Sequence, residues 1–229
     1  LSDGASLIRQ NRVAPSILSA DFARLGSQVE EVMAAGARVI HVDVMDGEFV
    51  PPITMGPLVV SALADRVHAA GGILDCHLMI AHPERQIAAF AEAGADNITV
   101  HVEATAHLHR ALQLIHEAGC SAGAAVCPAT PAAILAEVAE DPLDLALCMS
   151  VNPGWGGQEF IPAALDKLAR MRSALPDRVA LEVDGGIHRD TAEPAARAGA
   201  NLFVSGSGVF GSADPAAAYV ELAQRAGAA

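Results

Sequence analysis

The sequence predicts a single (β/α)8 barrel, one domain over residues 1–229, and three observations carry that prediction. Four stretches, "MAAGARVIHVDV", "AEAGADNITVHV", "HEAGCSAGAAV" and "ARAGANLFVSG", each read as the end of an amphipathic helix, a glycine stop and a β-rich apolar run. Their glycines, Gly36, Gly94, Gly119 and Gly199, stand 58, 25 and 80 residues apart, which fits whole numbers of βα units about 25–30 residues long. Strict strand-helix alternation makes a parallel sheet, and no G-x-G-x-x-G follows the first strand, as an open dinucleotide-binding sheet would want.

Candidate strands fall near 12–18, 38–45, 72–79, 96–102, 121–127, 144–151, 178–184 and 201–205. Between them lie the helical patterns "FARLGSQVEEVMAAG", "PERQIAAFAEAG", "PAAILAEVAE" and "PAALDKLARMRSAL", several opening with proline in the first turn. The four glycines suit the left-handed position just past a helix end, which a residue without Cβ takes at no steric cost. In the last pattern, helical spacing turns Leu165, Leu168 and Met171 inward and leaves Lys167, the only lysine, on the wet side. Schiff-base chemistry through lysine is therefore not expected.

At 52% hydrophobic and 18% charged, the composition suits a globular core and not a disordered chain. The net charge of −13 with dispersed arginines leaves no basic stripe for a nucleic-acid backbone or an anionic membrane surface. No apolar run approaches the roughly 18 residues of a membrane span, and "LSDGASLIRQNR" lacks the order of a signal peptide, so the reading is a cytoplasmic protein. Cys76, Cys120, Cys127 and Cys148 form no C-x-x-C pair, which excludes a zinc finger or thioredoxin-like motif. Residues 1–11 carry no readable role.

Catalytic groups of such a barrel sit at the C-terminal strand ends. In "HVDVMDG", period-two alternation puts His41, Asp43 and Met45 on one face; "LDCHLMI" does the same for Asp75, His77 and Met79, and "LEVDGG" for Glu182 and Asp184. Burying ionisable groups is costly unless they are paired or bind a metal, and three strands do it together. His41, Asp43, His77 and Asp184 are the expected ligands of one divalent ion per subunit, zinc first, with iron(II), manganese(II) or cobalt(II) as alternatives. Met45, Met79 and Met149 fall at strand ends as an apolar cap that would keep water from a reactive intermediate. The glycine loops "NPGWGGQEF", "DGG" and "SGSGVFG" offer backbone N–H groups to a phosphate. His101 and Glu103 alternate on the fourth strand and would line the interior, while His107, His109 and His116 sit at helical spacing and need no role.

The motifs "APSILSADFARL", "IHVDVMDGEFVPPITMG", "LDCHLMI", "VNPGWGGQEFIP", "LEVDGGI" and "AGANLFVSGSGVF" resemble, in order over about residues 13–220, the ribulose-phosphate 3-epimerase family. The resemblance implies a metal-dependent epimerase that interconverts D-ribulose 5-phosphate and D-xylulose 5-phosphate in the pentose phosphate pathway or Calvin cycle. It repeats the ligand set His41, Asp43, His77 and Asp184. It puts Ser16, His77 and Asp184 on the substrate, and Gly154, Trp155, Gly156, Gly157, Gly185, Gly186, Gly206 and Ser207 around the phosphate. Asp43 and Asp184, on opposite faces of the sugar, would remove and return the proton at carbon 3 through an enediolate, with the metal as Lewis acid. Apolar barrel proteins often associate, so a homo-oligomer, dimer or hexamer, is expected. The chain departs from the family's usual residues at Glu48, Pro52, Cys127 and Trp155. The same chemistry on allulose 6-phosphate is the nearest alternative; a sugar-phosphate decarboxylase or aldolase on a similar barrel, or a non-enzymatic sugar-phosphate binding protein, is further off.

Overall fold

The computed structural model describes residues 6–228. Eight strands alternate with helices: β1 (Arg12–Pro15), β2 (Val39–Met45), β3 (Ile73–Met79), β4 (Asn97–His101), β5 (Ser121–Val126), β6 (Leu145–Met149), β7 (Ala180–Asp184) and β8 (Leu202–Ser205). All neighbours pair in parallel, in the order β1-β8-β7-β6-β5-β4-β3-β2. β1 meets β2 through a parallel bridge between Ser16 and His41, which brings the ring nearly to closure and sets Ser16 beside the second strand. This is the (β/α)8 barrel that the glycine repeat predicted. Gly36, Gly94, Gly119 and Gly199 all have φ between 88° and 117°, the conformation expected of them.

The helices are α1 (Leu25–Ala34), α2 (Pro57–Ala69), α3 (Ile87–Glu92), α4 (Leu108–Glu117), α5 (Ala163–Ala174), α6 (Ala192–Arg197), α7 (Ser207–Phe210) and α8 (Pro215–Ala226). Their apolar sides and the outward faces of the strands form the larger core, from Val13 and Val29 to Leu222 and Ala226. Two expectations need correcting. The pattern at 131–140 is a 3-10 helix over Ala132–Val138, whose buried Leu135 and Val138, three residues apart, eclipse on one side. Lys167 is also not on the wet side: α5 turns Ala164, Lys167, Leu168 and Met171 inward. The lysine is 5% exposed, its stem in the core and its Nζ donating to the Cys127 carbonyl at 2.6 Å. It does not line the cavity described below, so the expectation of no lysine chemistry is unaffected.

Inside the barrel, a second apolar cluster includes Val39, Ile73, Leu145, Ala180 and Leu202, each the first residue of its strand, which fill the N-terminal end. Ile8 plugs this floor, 1% exposed, its carbonyl accepting from Asn201 Nδ2 at 2.7 Å. The segment without a readable role thus contributes core. Ile8→Ala, which leaves a cavity at the floor, is expected to lower stability by about 2–5 kcal/mol in urea unfolding; a change under about 0.5 kcal/mol would mean that the plug is dispensable.

Candidate active site

The register between β2 and β3 builds the centre of the site. It sets His41 beside Asp75, Asp43 beside His77 and Met45 beside Met79, so two alternating strands present one interior face together. β6 and β7 bring Met149 and Asp184 level on the opposite side. Ser16 Oγ donates to Asp43 Oδ2 at 2.6 Å. Just past β2, Asp46 ties the loops that follow β2 and β3, its Oδ1 accepting from the Glu48 and Phe49 amides and its Oδ2 from the Ala81 amide.

The imidazole orientations follow from their partners. His41 Nδ1 lies 2.6 Å from Asp75 Oδ2, and because an ionised carboxylate only accepts, Nδ1 carries the proton. Asn97 Nδ2 holds the other Asp75 oxygen at 2.6 Å. His41 Nε2 therefore faces Asp43 Oδ1, at 3.2 Å. His77 Nδ1 stands 3.2 Å from the same oxygen and 3.6 Å from Asp184 Oδ2. One donor atom from each of His41, Asp43, His77 and Asp184 lies within 4.8 Å of all the others. A tetrahedron with bonds of about 2.0–2.1 Å has edges of about 3.3 Å, so the set is compatible with a divalent metal ion.

Burial and charge push these groups apart. Burial alone would raise Asp43, but the imidazoles of His41 and His77 hold it far below the usual carboxylate range. Burial raises Asp184, and the neighbouring Asp43 charge raises it further. His77 is depressed by burial, yet the Asp184 and Asp43 carboxylates beside Nδ1 lift it to about 9. His41 likewise rises well above the imidazole range against burial, through Asp43 and Asp75. Beneath them Glu182 is fully buried and neither carboxyl oxygen has a hydrogen-bond partner; burial and then the Asp75 charge lift it to about 8, which favours the uncharged acid.

Above this cluster opens a cavity of about 400 Å³. Its walls include Ser16, Asp43 and Asp184, the three methionines Met45, Met79 and Met149, and the glycine loops Gly154, Trp155, Gly156, Gly157, then Gly185, Gly186, then Gly206, Ser207. Met45 and Met79 pack with Val50, whereas Met149 belongs to the barrel's inner cluster across the cavity. His41 and His77 are wholly buried below the floor. At Gly186, with φ of 63°, a Cβ would lie 2.5 Å from the Phe160 amide nitrogen, so this turn demands glycine. Ser150 Oγ donates to the Asp184 and Gly185 carbonyls, and Gln158 Nε2 to the Asn152 and Trp155 carbonyls, fixing two of the loops.

The structure brings the other sequence-predicted site residues to this one mouth and sets His41 and His77 beneath its floor. Asp75 was readable as interior from alternation, but its hold on His41 was not. Glu182 was likewise readable as interior, whereas Asn97, Ser150 and Gln158 support the site without having been singled out for it. Of the departures, Trp155 lines the cavity at 58% exposure, Glu48 and Pro52 do not line it, and Cys127 stands beside His101.

Residues 12–210 match the model of the ribulose-phosphate 3 epimerase family. The chain belongs to that family. It is 49% identical over 215 residues to ribulose-phosphate 3-epimerase of Bacillus subtilis, covering 92% of this chain and 97% of that one. It is 48% identical over 210 residues to the Escherichia coli K12 ribulose-phosphate 3-epimerase, covering 90% and 92%. Among solved structures, 3-hexulose-6-phosphate synthase from Salmonella typhimurium superposes with a TM-score of 0.72 at 17% identity, over 94% of this chain and 98% of that one, a likeness of fold. A member of this epimerase family is an enzyme acting on a small molecule, and among the described residues no helix is long and apolar enough to cross a membrane.

Proposed function

We propose that residues 1–229 form one catalytic domain that interconverts D-ribulose 5-phosphate and D-xylulose 5-phosphate by moving the proton at carbon 3, within the pentose phosphate pathway or Calvin cycle. The observation that carries this reading is the pair Asp43 and Asp184, two carboxyls facing one cavity and pushed in opposite directions by their surroundings. Inversion next to a ketone needs a base on one face and an acid on the other, and two carboxyls biased in opposite directions suit the two roles. Asp43, ionised, is the residue ready to accept a proton; Asp184, biased towards its acid form, is the one ready to give one, and the roles exchange for the reverse reaction.

His41 through Nε2, His77 through Nδ1, Asp43 and Asp184 would hold one divalent ion per subunit, zinc first by the donor set. When bound, the ion supplies Lewis-acid stabilisation of the negative charge that develops on the substrate's carbon-2 oxygen. Ser16 orients Asp43 through its 2.6 Å hydrogen bond and reaches the substrate, whereas His77, wholly buried beneath the cavity floor, would act on the substrate only through the ion it holds. Met45, Met79 and Met149 keep water from the enediolate. Backbone amides of the Gly154–Gly157 loop, with Trp155 over it, and of Gly185, Gly186, Gly206 and Ser207 take the phosphate. A cytoplasmic homo-oligomer, dimer or hexamer, is the proposed setting.

Zinc binding should depend on pH with a definite sign. His77 is raised to about 9, so at neutral pH it holds a proton that a metal must displace. Affinity is expected to climb by about tenfold per pH unit for each proton displaced, from pH 6.5 towards 9, with His41, also raised, adding to the slope. Zinc titrations against a competing chelator would read this, and a flat profile would remove His77 from the ligand set. The reaction itself is tested in deuterated water with ribulose 5-phosphate. Xylulose 5-phosphate carrying solvent deuterium at carbon 3, lost after chelation and restored by a divalent metal, is the expected result. Turnover of allulose 6-phosphate alone would move the substrate, and silence with both would end the epimerase reading.

A further inference from the structure

The end of β4 carries a buried imidazole that the reaction above does not use. His101 Nε2 lies 2.9 Å from His77 Nε2. The ring centroids are 5.0 Å apart, slightly less than that contact plus the reach of each ring, and the ring planes are 29° apart, so the two imidazoles meet nearly edge to edge. On its other side His101 Nδ1 lies 3.2 Å from Glu103 Oε2. Glu103 is pinned in turn, its Oε1 accepting from the Cys127 amide at 2.8 Å and from the Thr130 hydroxyl.

A neutral imidazole has one N–H and one lone pair, which gives this chain a single consistent direction. If His77 offers its Nδ1 lone pair to a metal, its proton is on Nε2 and must be donated to His101 Nε2. His101 then carries its own proton on Nδ1 and donates it to Glu103, which as a carboxylate only accepts. We propose that His101 and Glu103 are positioning residues that lock the tautomer and ring of His77 so that Nδ1 faces the metal. This rests on the reading of His77 as a ligand.

The same residues invite a rival assignment. His101 Nδ1, Glu103 and Cys127 Sγ lie within 4.8 Å of one another and resemble a second metal site. A metal on His101 Nδ1 would force the proton of His101 onto Nε2, where it would oppose the Nε2–H of His77 across 2.9 Å. With the first site filled, the proton inventory excludes the second.

The test uses the zinc-loaded wild-type chain with nitrogen-15 histidine. Long-range nitrogen–proton correlations are expected to report Nε2–H at His77, Nδ1–H at His101 and one zinc per chain. His101→Phe, which removes the acceptor, is expected to weaken zinc binding about 10- to 100-fold in chelator competition. His101→Gln, whose side-chain oxygen can accept from His77, should recover most of that loss. An Nε2–H tautomer at His101, two zinc ions per chain, or undiminished affinity in the Phe variant would overturn the lock while leaving the first metal site standing. A wild type that binds no zinc overturns the site reading itself, and the lock with it. The tautomer measurement decides even where the Phe variant fails to fold.

Discussion

Asp184→Asn is expected to lower kcat/KM for ribulose 5-phosphate by about 10³-fold or more, since it removes one partner of a proton-transfer pair and weakens the proposed ligand set. The more telling result is a separation of two reactions. With Asp43 intact, one of the two pentulose phosphates should still exchange its carbon-3 proton with deuterated solvent, because the surviving base returns the proton to the face it came from. Inversion would be lost while exchange persists from that one epimer, and carbon-3 spectra started from each sugar in turn would read it. Epimerisation within tenfold of wild type would remove Asp184 from the mechanism.

The loss should not be one of folding. Burial and the Asp43 charge raise Asp184 above its unfolded value, so its contribution to stability is full at acid pH and lost as pH rises through the folded value. The Asn variant, which cannot ionise, should therefore be at least as stable as the metal-free wild type at pH 8.

Removal of the metal has the second large consequence. Chelation is expected to abolish turnover and also to lower the melting temperature. An ion at about 100 times its dissociation constant contributes about 2.7 kcal/mol to the folded state. For a chain of 229 residues, that corresponds to about 5–10 °C. The stripped site keeps four ionisable side chains, His41, Asp43, His77 and Asp184, crowded under the cavity. Scanning calorimetry with and without zinc reads the shift, and activity returning together with the melting temperature would tie both to one site. Full activity after chelation, with the metal content checked, would rule out the proposed metal dependence.

Much of this was legible along the chain. Period-two alternation put His41, Asp43 and Met45 on one face of β2, and the repeated glycine stops counted out the barrel. Both signals are local, since a strand turns each successive side chain to the opposite face whatever its neighbours are. Lys167 was misread because helical spacing identifies a stripe but not its edges: a long aliphatic stem can enter the core and send its ammonium to the Cys127 carbonyl. The segment at 131–140 was misread because i, i+3 spacing of apolar residues suits a 3-10 turn as well as an α-helix. Ile8 gave no signal, since a lone apolar residue ahead of the first strand acquires meaning only when the barrel floor closes on it.

By itself the sequence determined the barrel, its strand order in outline and which polar side chains point inward, because those depend on residues next to one another. Tertiary structure alone decided which nitrogen of each imidazole faces the cluster and which carboxyl keeps its proton. His41 owes its orientation to Asp75, 34 residues away, and His77 meets His101, 24 residues away, through strand register. Protonation depends on distance and on exclusion of water, and neither exists until the strands have closed around the site.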